Sequence, residues 1–342
     1  MKPQEKFRNE IDDYANTIHA IIGFMNFYRY DDATENMKND VLVFQGRKLK
    51  PSNSITSNSN SVKTSYVTPD IGILLPSKDG VLGEVKRSFP MDQKRWMKTF
   101  KQLMSYDGDL TGWPSDDGKI NSHDIVLILH QSRAVAVRKF YERNKDSLIK
   151  FIRPFVMVEF NRSDERKPFY FFRIALGNLT ENSVNERLGN GVQVPMEVFV
   201  TTYSTIKIYD SEPPLPYSLE LIWTNVVLPK ASDDPKFEKL RKNQKIDVVL
   251  DIDTIIQELY QGFSFRLLHN YDEEGHPKIP KREWVTRACE QLVKLNEASW
   301  VDASKTSVKV FFKIYDDVLD HFIELCSGDL ENSGQMKLFE NK

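Results

Sequence analysis

Between residues 4 and 29, apolar side chains recur at three- and four-residue spacing through Ile11, Tyr14, Ala15, Ile18, Ile21, Ile22 and Met25, which predicts a helix. Leu42–Phe44 reads as a short strand, and the Ser/Asn-rich residues 51–65 have no period and read as a surface loop. Tyr66–Leu75 and Val81–Arg87 are strand-like runs on either side of Pro76–Gly80, whose residues carry turn chemistry, so the three together predict a hairpin. Asp92 to Tyr106 reads as a helix with Trp96, Met97, Phe100, Leu103 and Met104 on one stripe. His123–Gln131 has an unbroken apolar centre, as a buried strand requires, and 134–149 reads as a basic helix.

From 151 to 229 the segments FVMVEF, FYFFRIAL, MEVFVTTYSTIKIY and YSLELIWTNVVL read as strands. Residues 230–245 are charged and read as a connector carrying Lys236, Lys239, Arg241, Lys242 and Lys245. Ile246 to Glu324 reads helix, helix, helix, hairpin, helix, the third helix starting near Pro280. The chain is expected to divide at 1–150, 151–229, 230–245, 246–326 and a polar, disordered tail 327–342. The fold class is α/β.

Composition narrows the chemistry. The chain has 342 residues, with 47 Lys and Arg against 49 Asp and Glu, which excludes a wholly basic polyanion binder but not a local basic face. Two cysteines, Cys289 and Cys326, are too few for a disulfide framework, a cysteine-rich zinc site or a four-cysteine iron–sulfur cluster. The six histidines form no H-x-x-x-H or H-x-H pair, so zinc hydrolysis is not expected. The opening MKPQEKFRNE has no apolar signal-like region and no run of 18 apolar residues follows, so a cytoplasmic protein without a membrane span is expected. Any catalytic metal must then sit on carboxylates, which points to Mg²⁺ or Mn²⁺.

The hairpin offers such a site. Glu84 and Lys86 share one face of their strand. With Pro76–Gly80 as the loop, Leu75 pairs with Val81, and Asp70 lies opposite Lys86 and diagonal to Glu84. A one-residue slip would carry Asp70 to the other face. Charge inside so apolar a hairpin is costly unless paired or bound to metal. Asp70 and Glu84 could hold a hard cation that polarises a phosphodiester and acidifies a water, with Lys86 orienting that water or stabilising phosphate charge. Pro69 suits a strand start or bulge that re-aims Asp70.

Pro69-Asp70 followed by Glu84-Val85-Lys86 resembles the motif of the PD-(D/E)xK nuclease superfamily, and the first 131 residues are similar to its helix, three strands, helix, strand order. Gln102 and Tyr106 resemble the Q-x-x-x-Y motif of the RecB-like branch, where these residues support the active site and contact DNA. The cysteines of iron–sulfur relatives are missing. The resemblance implies a restriction-endonuclease-like core, a divalent metal on Asp70 and Glu84, and Lys86, Gln102 and Tyr106 in the catalytic machinery. Many relatives add an upstream acid or His, for which Glu10, His19 and Glu35 are open candidates. Arg95 is outside that motif but falls on the stripe of Thr99, Gln102 and Tyr106, where it could contact a phosphate.

The C-terminal section resembles a winged helix. Lys281, Arg282 and Arg287 could face a DNA groove, with Lys305 and Lys309 on the wing. Gln335–Phe339 (QMKLF) is similar to the peptide that binds the bacterial sliding clamp, departing from it at Met336 and Lys337. The expected function is a metal-dependent DNA nuclease, endonucleolytic, in prokaryotic restriction, defence or DNA repair. Cleavage of both strands would favour a homodimer. The alternative is a non-catalytic DNA-binding or assembly protein on a nuclease-like scaffold.

Overall fold

The structure, a computed structural model, describes residues 2–31, 36–37, 40–45, 47–52, 66–87, 91–115, 118–163, 169–195, 211–241, 244–261 and 281–332. The expected loop over 53–65, strand over 196–210, helix start at Pro280, candidate Glu35, connector residue Lys242 and clamp-like Gln335–Phe339 lie outside the described residues. The chain forms two compact units: Asn16–Tyr203 with Ser264–Lys278, and Met1–Ala15 with Ser204–Phe263 and Ile279–Lys342. The division is therefore not the linear one read from the sequence, because the first residues join the C-terminal half.

The first unit is built on a seven-stranded sheet: β1 Leu42–Phe44, β2 Ile71–Leu74, β3 Asp79–Lys86, β4 Ser122–His130, β5 Phe155–Ser163, β6 Phe169–Leu176 and β7 Val192–Pro195. The strands lie side by side in chain order. β3, β4 and β5 are parallel to one another and the outer neighbours pair antiparallel. Parallel neighbours need crossovers. These are α2 (Gln93–Met104) and α3 (Gln131–Asn144). β5–β7 thus continue the same sheet, with α4 (Asn182–Asn190) between β6 and β7.

One sheet face is covered by α2 and α3. Trp96, Phe100 and Leu103 of α2 and Ala134, Val137 and Phe140 of α3 meet Leu82, Ile125, Leu127, Leu129, Phe155 and Met157 in one core. Phe100 stacks on Phe140 and Tyr141 at centroid distances of 6.0 and 5.6 Å. Each such buried side chain contributes about 1.5–3 kcal/mol by area. The other face carries Val156, Val158, Phe160, Tyr170 and Phe172, all buried. Against it lies α1 (Pro3–Arg29) from Asn16 onward: Tyr170 donates to Asn16 at 2.7 Å and Phe24 packs on Phe172.

The second unit has its own core. α5 (Leu215–Ile222) runs through a π turn, Trp223–Val227, into the helical Leu228–Ser232. β8 (Ile246–Asp251), α6 (Ile252–Gln261), α7 (Arg282–Lys294), β9 (Ala298–Trp300), β10 (Ser307–Phe312) and α8 (Val318–Asn332) follow. The three strands form an antiparallel sheet in the order β8-β10-β9. Phe7 of α1 packs against this core, Arg8 pairs with Asp320, and Tyr14 meets Tyr217.

Three expectations are corrected here. YSLELIWTNVVL is helical: Leu219, Ile222, Trp223, Val226 and Val227, at three- and four-residue spacing, are buried, while Thr224 is exposed and Glu220 and Asn225 are half-buried. Its π turn ends two residues before Pro229, which has no N–H for regular helical pairing. Ile246–Asp251 is a strand, with Ile246, Val248 and Leu250 inward and Asp247, Val249 and Asp251 outward. The charged connector is not a free linker, since Phe237 and Leu240 pack on the second core. Among the described residues no helix is long and apolar enough to cross a membrane.

Candidate active site

The β2–β3 hairpin pairs Ile71 with Gly83 and Leu74 with Gly80. The Leu75 N–H donates to Asp79 at 2.8 Å, leaving Pro76–Lys78 as the turn, with Lys78 in the left-handed region at φ 61°. Continuing this register sets Asp70 opposite Glu84, two residues from the expected partner Lys86. The shift is by an even number of residues, so all three groups keep the same face. Gly80 is a strand residue rather than part of the turn, because the Trp113 ring covers it: a Cβ there would lie 2.5 Å from the ring.

The hairpin places the charges inside the protein. Glu84 lies between β2 and β4, beside Leu127, and has no exposed surface; Asp70 is 5% exposed. Asp70 Oδ2 accepts from the Val85 N–H at 3.1 Å and from Lys86 Nζ at 3.4 Å. Lys86 Nζ donates to Glu84 Oε2 at 2.8 Å, so one ammonium bridges both carboxylates. The Lys86 side chain is 28% exposed and gives the cluster its route to solvent.

α2 completes the arrangement. Asp92 caps its first turn by accepting from the Lys94 N–H at 2.9 Å. Tyr106, buried just past the helix end, donates its O–H to Glu84 Oε1. Gln102 Nε2 donates to Tyr106 Oη at 3.2 Å. A hydrogen-bonded chain thus leads from exposed Gln102 through Tyr106 to a fully buried carboxylate. The five catalytic candidates, Asp70, Glu84, Lys86, Gln102 and Tyr106, come together.

Burial pushes the Glu84 carboxyl up to about 8, and the Asp70 charge adds to the shift, against the pull of Lys86 and Tyr106. Burial raises the Tyr106 phenol well above its ordinary range, so it stays a donor. His123, which sequence reasoning passed over, fixes Tyr106 from behind. Burial lowers its pKa to about 4, and its neutral ring donates Nε2–H to the Tyr106 carbonyl at 2.7 Å. Its signal in the sequence was a polar pair, His123-Asp124, opening an otherwise apolar strand.

The remaining candidates lie elsewhere. Glu10 belongs to the second unit and pairs with Lys6. His19 meets Tyr170 on the α1 face, and burial lowers its pKa to about 4. Arg95 is exposed on α2 and reaches Asp92 at 3.8 Å. In the second unit every expected DNA contact has an acidic partner: Lys281 with Glu283, Arg282 with Asp253, Arg287 with Glu212, Lys305 with Glu290 and Lys309 with Asp247. Such exposed pairs add little stability, but they cancel charge.

Asp70 and Glu84 fit a hard divalent cation. Among the described residues no group of three or more His, Cys, Asp or Glu gathers to hold a metal. Two carboxylates nevertheless match Mg²⁺, which is commonly bound by one or two carboxylates with water and substrate phosphate filling the rest. A carboxylate with so raised a pKa carries a stability signature. In EDTA the folded protein holds a proton on Glu84 that the unfolded chain releases above its ordinary pKa, so stability falls as pH rises from about 5 to 8. Glu84→Gln removes this slope. Melting curves of both proteins between pH 5.5 and 8.5 check it, and equal slopes would refute it.

Comparison with protein-family models, with curated proteins and with solved structures finds no match for this chain.

Proposed function

We propose that the protein is a divalent-metal-dependent DNA nuclease of the PD-(D/E)xK type, with Asp70 and Glu84 as metal ligands and Lys86 as the charge-stabilising group. The observation that carries this reading is the buried Asp70–Glu84–Lys86 cluster reached through Gln102 and Tyr106. A surface ion pair would need no burial. A fully buried carboxylate facing a second carboxylate is expensive to maintain, and such perturbed groups concentrate at functional sites. The element order supports the reading too: α1, antiparallel β1–β3, α2, then β4 parallel to β3 is compatible with the helix, three strands, helix, strand order that the resemblance implies. In the second unit, a helix, a strand, two helices and two strands with sheet order β8-β10-β9 support the winged-helix reading.

The residues divide the work. Asp70 and Glu84 supply oxygen ligands for Mg²⁺ or Mn²⁺. When bound, the cation supplies Lewis-acid polarisation of the scissile phosphodiester. Lys86, partly exposed, presents its ammonium to the phosphate oxygens and stabilises charge that builds in the transition state. Tyr106 and Gln102 hold the Glu84 carboxylate in place from the α2 side. His123 fixes Tyr106 through its carbonyl.

The test is direct. Purified protein is incubated with supercoiled, linear and single-stranded DNA in Mg²⁺, Mn²⁺ or EDTA. The expected result is metal-dependent nicking or linearisation of circles, with no cleavage in EDTA. Absence of cleavage of every substrate under both cations would refute the nuclease reading.

A further inference from the structure

The units differ in charge. By sequence the sheet unit has 28 Lys and Arg against 24 Asp and Glu, and the second unit 19 against 25, together the chain's 47 and 49. The excess is concentrated on two helices. α2 carries Lys94, Arg95, Lys98 and Lys101 and no acid. α3 carries Arg133, Arg138, Lys139 and Arg143 and one acid, Glu142, which pairs with Arg138. The two helices pack side by side through Phe100 with Phe140 and Tyr141, on the same sheet face.

The α2 cations have a defined arrangement. Lys94, Lys98 and Lys101 are spaced i, i+4, i+7, which puts them on one stripe, opposite buried Trp96, Phe100 and Leu103. All three are exposed, and among the described residues none takes part in an ion pair. A solvated helix ordinarily interleaves acids with its lysines. Their span, seven residues, is about 10.5 Å at the helical rise. That is about three base-pair steps along one DNA strand. Gln102, the outer end of the chain to Glu84, follows Lys101 directly and lies one turn past Lys98.

We infer that the outer face of α2, extended by Lys139 and Arg143 of α3, is the phosphate-backbone track for duplex DNA, and that the second unit is not the DNA-gripping module. The inference rests on the nuclease reading for its choice of polyanion. It replaces the expectation that Lys281, Arg282, Arg287, Lys305 and Lys309 make these contacts, since each of those already faces an acid.

The experiment measures equilibrium binding of full-length protein to a fluorescent DNA duplex in EDTA, over a salt series, so that cleavage plays no part. The triple variant Lys94→Gln, Lys98→Gln, Lys101→Gln is expected to lose about a hundredfold in affinity at 0.15 M salt, with a salt slope shallower by about 2.7, the counterion release of three phosphates. The triple Lys→Arg variant is expected to bind like the wild type, which separates charge from folding damage, and melting curves check that the Gln variant stays folded. The set Lys281→Gln, Arg282→Gln, Arg287→Gln, Lys305→Gln is expected to leave affinity unchanged. Wild-type affinity and slope in the α2 variant would overturn the inference. So would loss of binding in the second-unit variant alone, absence of duplex binding by the wild type, or an effect seen with single-stranded RNA but not with duplex. A protein that binds DNA through α2 but cleaves nothing would sustain this inference while refuting the nuclease reading; cleavage with an indifferent α2 variant would do the reverse.

Discussion

Lys86→Ala protein is expected to cleave DNA at least about 10²–10³-fold more slowly than the wild type at saturating Mg²⁺ or Mn²⁺, the scale of removing one group that stabilises transition-state charge. Asp70→Asn is expected to fall at least as far, because it removes one of two anionic ligands where no third is gathered among the described residues. The two variants should differ in stability. Asp70→Asn relieves the repulsion that helps raise the Glu84 carboxyl. Lys86→Ala removes the ammonium that bridges both buried carboxylates and pulls the Glu84 carboxyl down, so Glu84 keeps its proton to still higher pH while Asp70 loses its partner. Opposite shifts of melting temperature at pH 8 with loss of cleavage in both variants are the signature of a functional cluster. Wild-type cleavage by both would end the assignment.

Phe100→Ala is expected to destabilise the sheet unit by about 3–5 kcal/mol, the usual cost of emptying a fully buried aromatic site. Phe100 has no exposed surface and touches the rings of Phe140, Tyr141 and Phe155. Such a loss is a large share of the roughly 5–15 kcal/mol that typically holds a domain together. Because α2 also carries Gln102 and positions Tyr106, cleavage should fail at the temperature where this core melts, well below the wild-type limit. Chemical denaturation followed by tryptophan fluorescence, with Trp96 and Trp113 both buried in that core, measures the change. A loss under about 1 kcal/mol would mean that α2 is held chiefly by something else.

Much of the sheet unit was legible because its signals are local. The stripe of Trp96, Phe100 and Leu103 marked α2, and the unbroken Ile125–Leu129 run marked the central strand. Asp70, Glu84 and Lys86 were legible as a trio because side-chain alternation survives an even shift of register. The register itself was not. Gly80 reads as a turn residue, yet it lies in β3 beneath Trp113, a contact more than thirty residues away in sequence, and Lys78 takes the positive φ instead. The second unit hid its elements for a related reason. The run from Leu219 to Val227 does carry a helical spacing, with Leu219, Ile222, Trp223, Val226 and Val227 buried and Glu220, Thr224 and Asn225 between them, but its dense β-branched and aromatic residues read equally as a strand. The pairing of Arg282 with Asp253 and Arg287 with Glu212 joins residues 29 and 75 positions apart, beyond any local pattern.

The split of α1 between the two units has a consequence for synthesis. The sheet strands all come from one stretch, Asn16–Tyr203, so a ribosome delivers them before most of the second unit exists. Phe7, Arg8 and Tyr14 leave the ribosome before those strands, yet their partners include Asp320 and Tyr217. This segment is made before the sheet strands but completes its core only after them. During elongation that half-helix keeps an apolar side uncovered, which is where a nascent chain of this design is most exposed to chaperones and proteases.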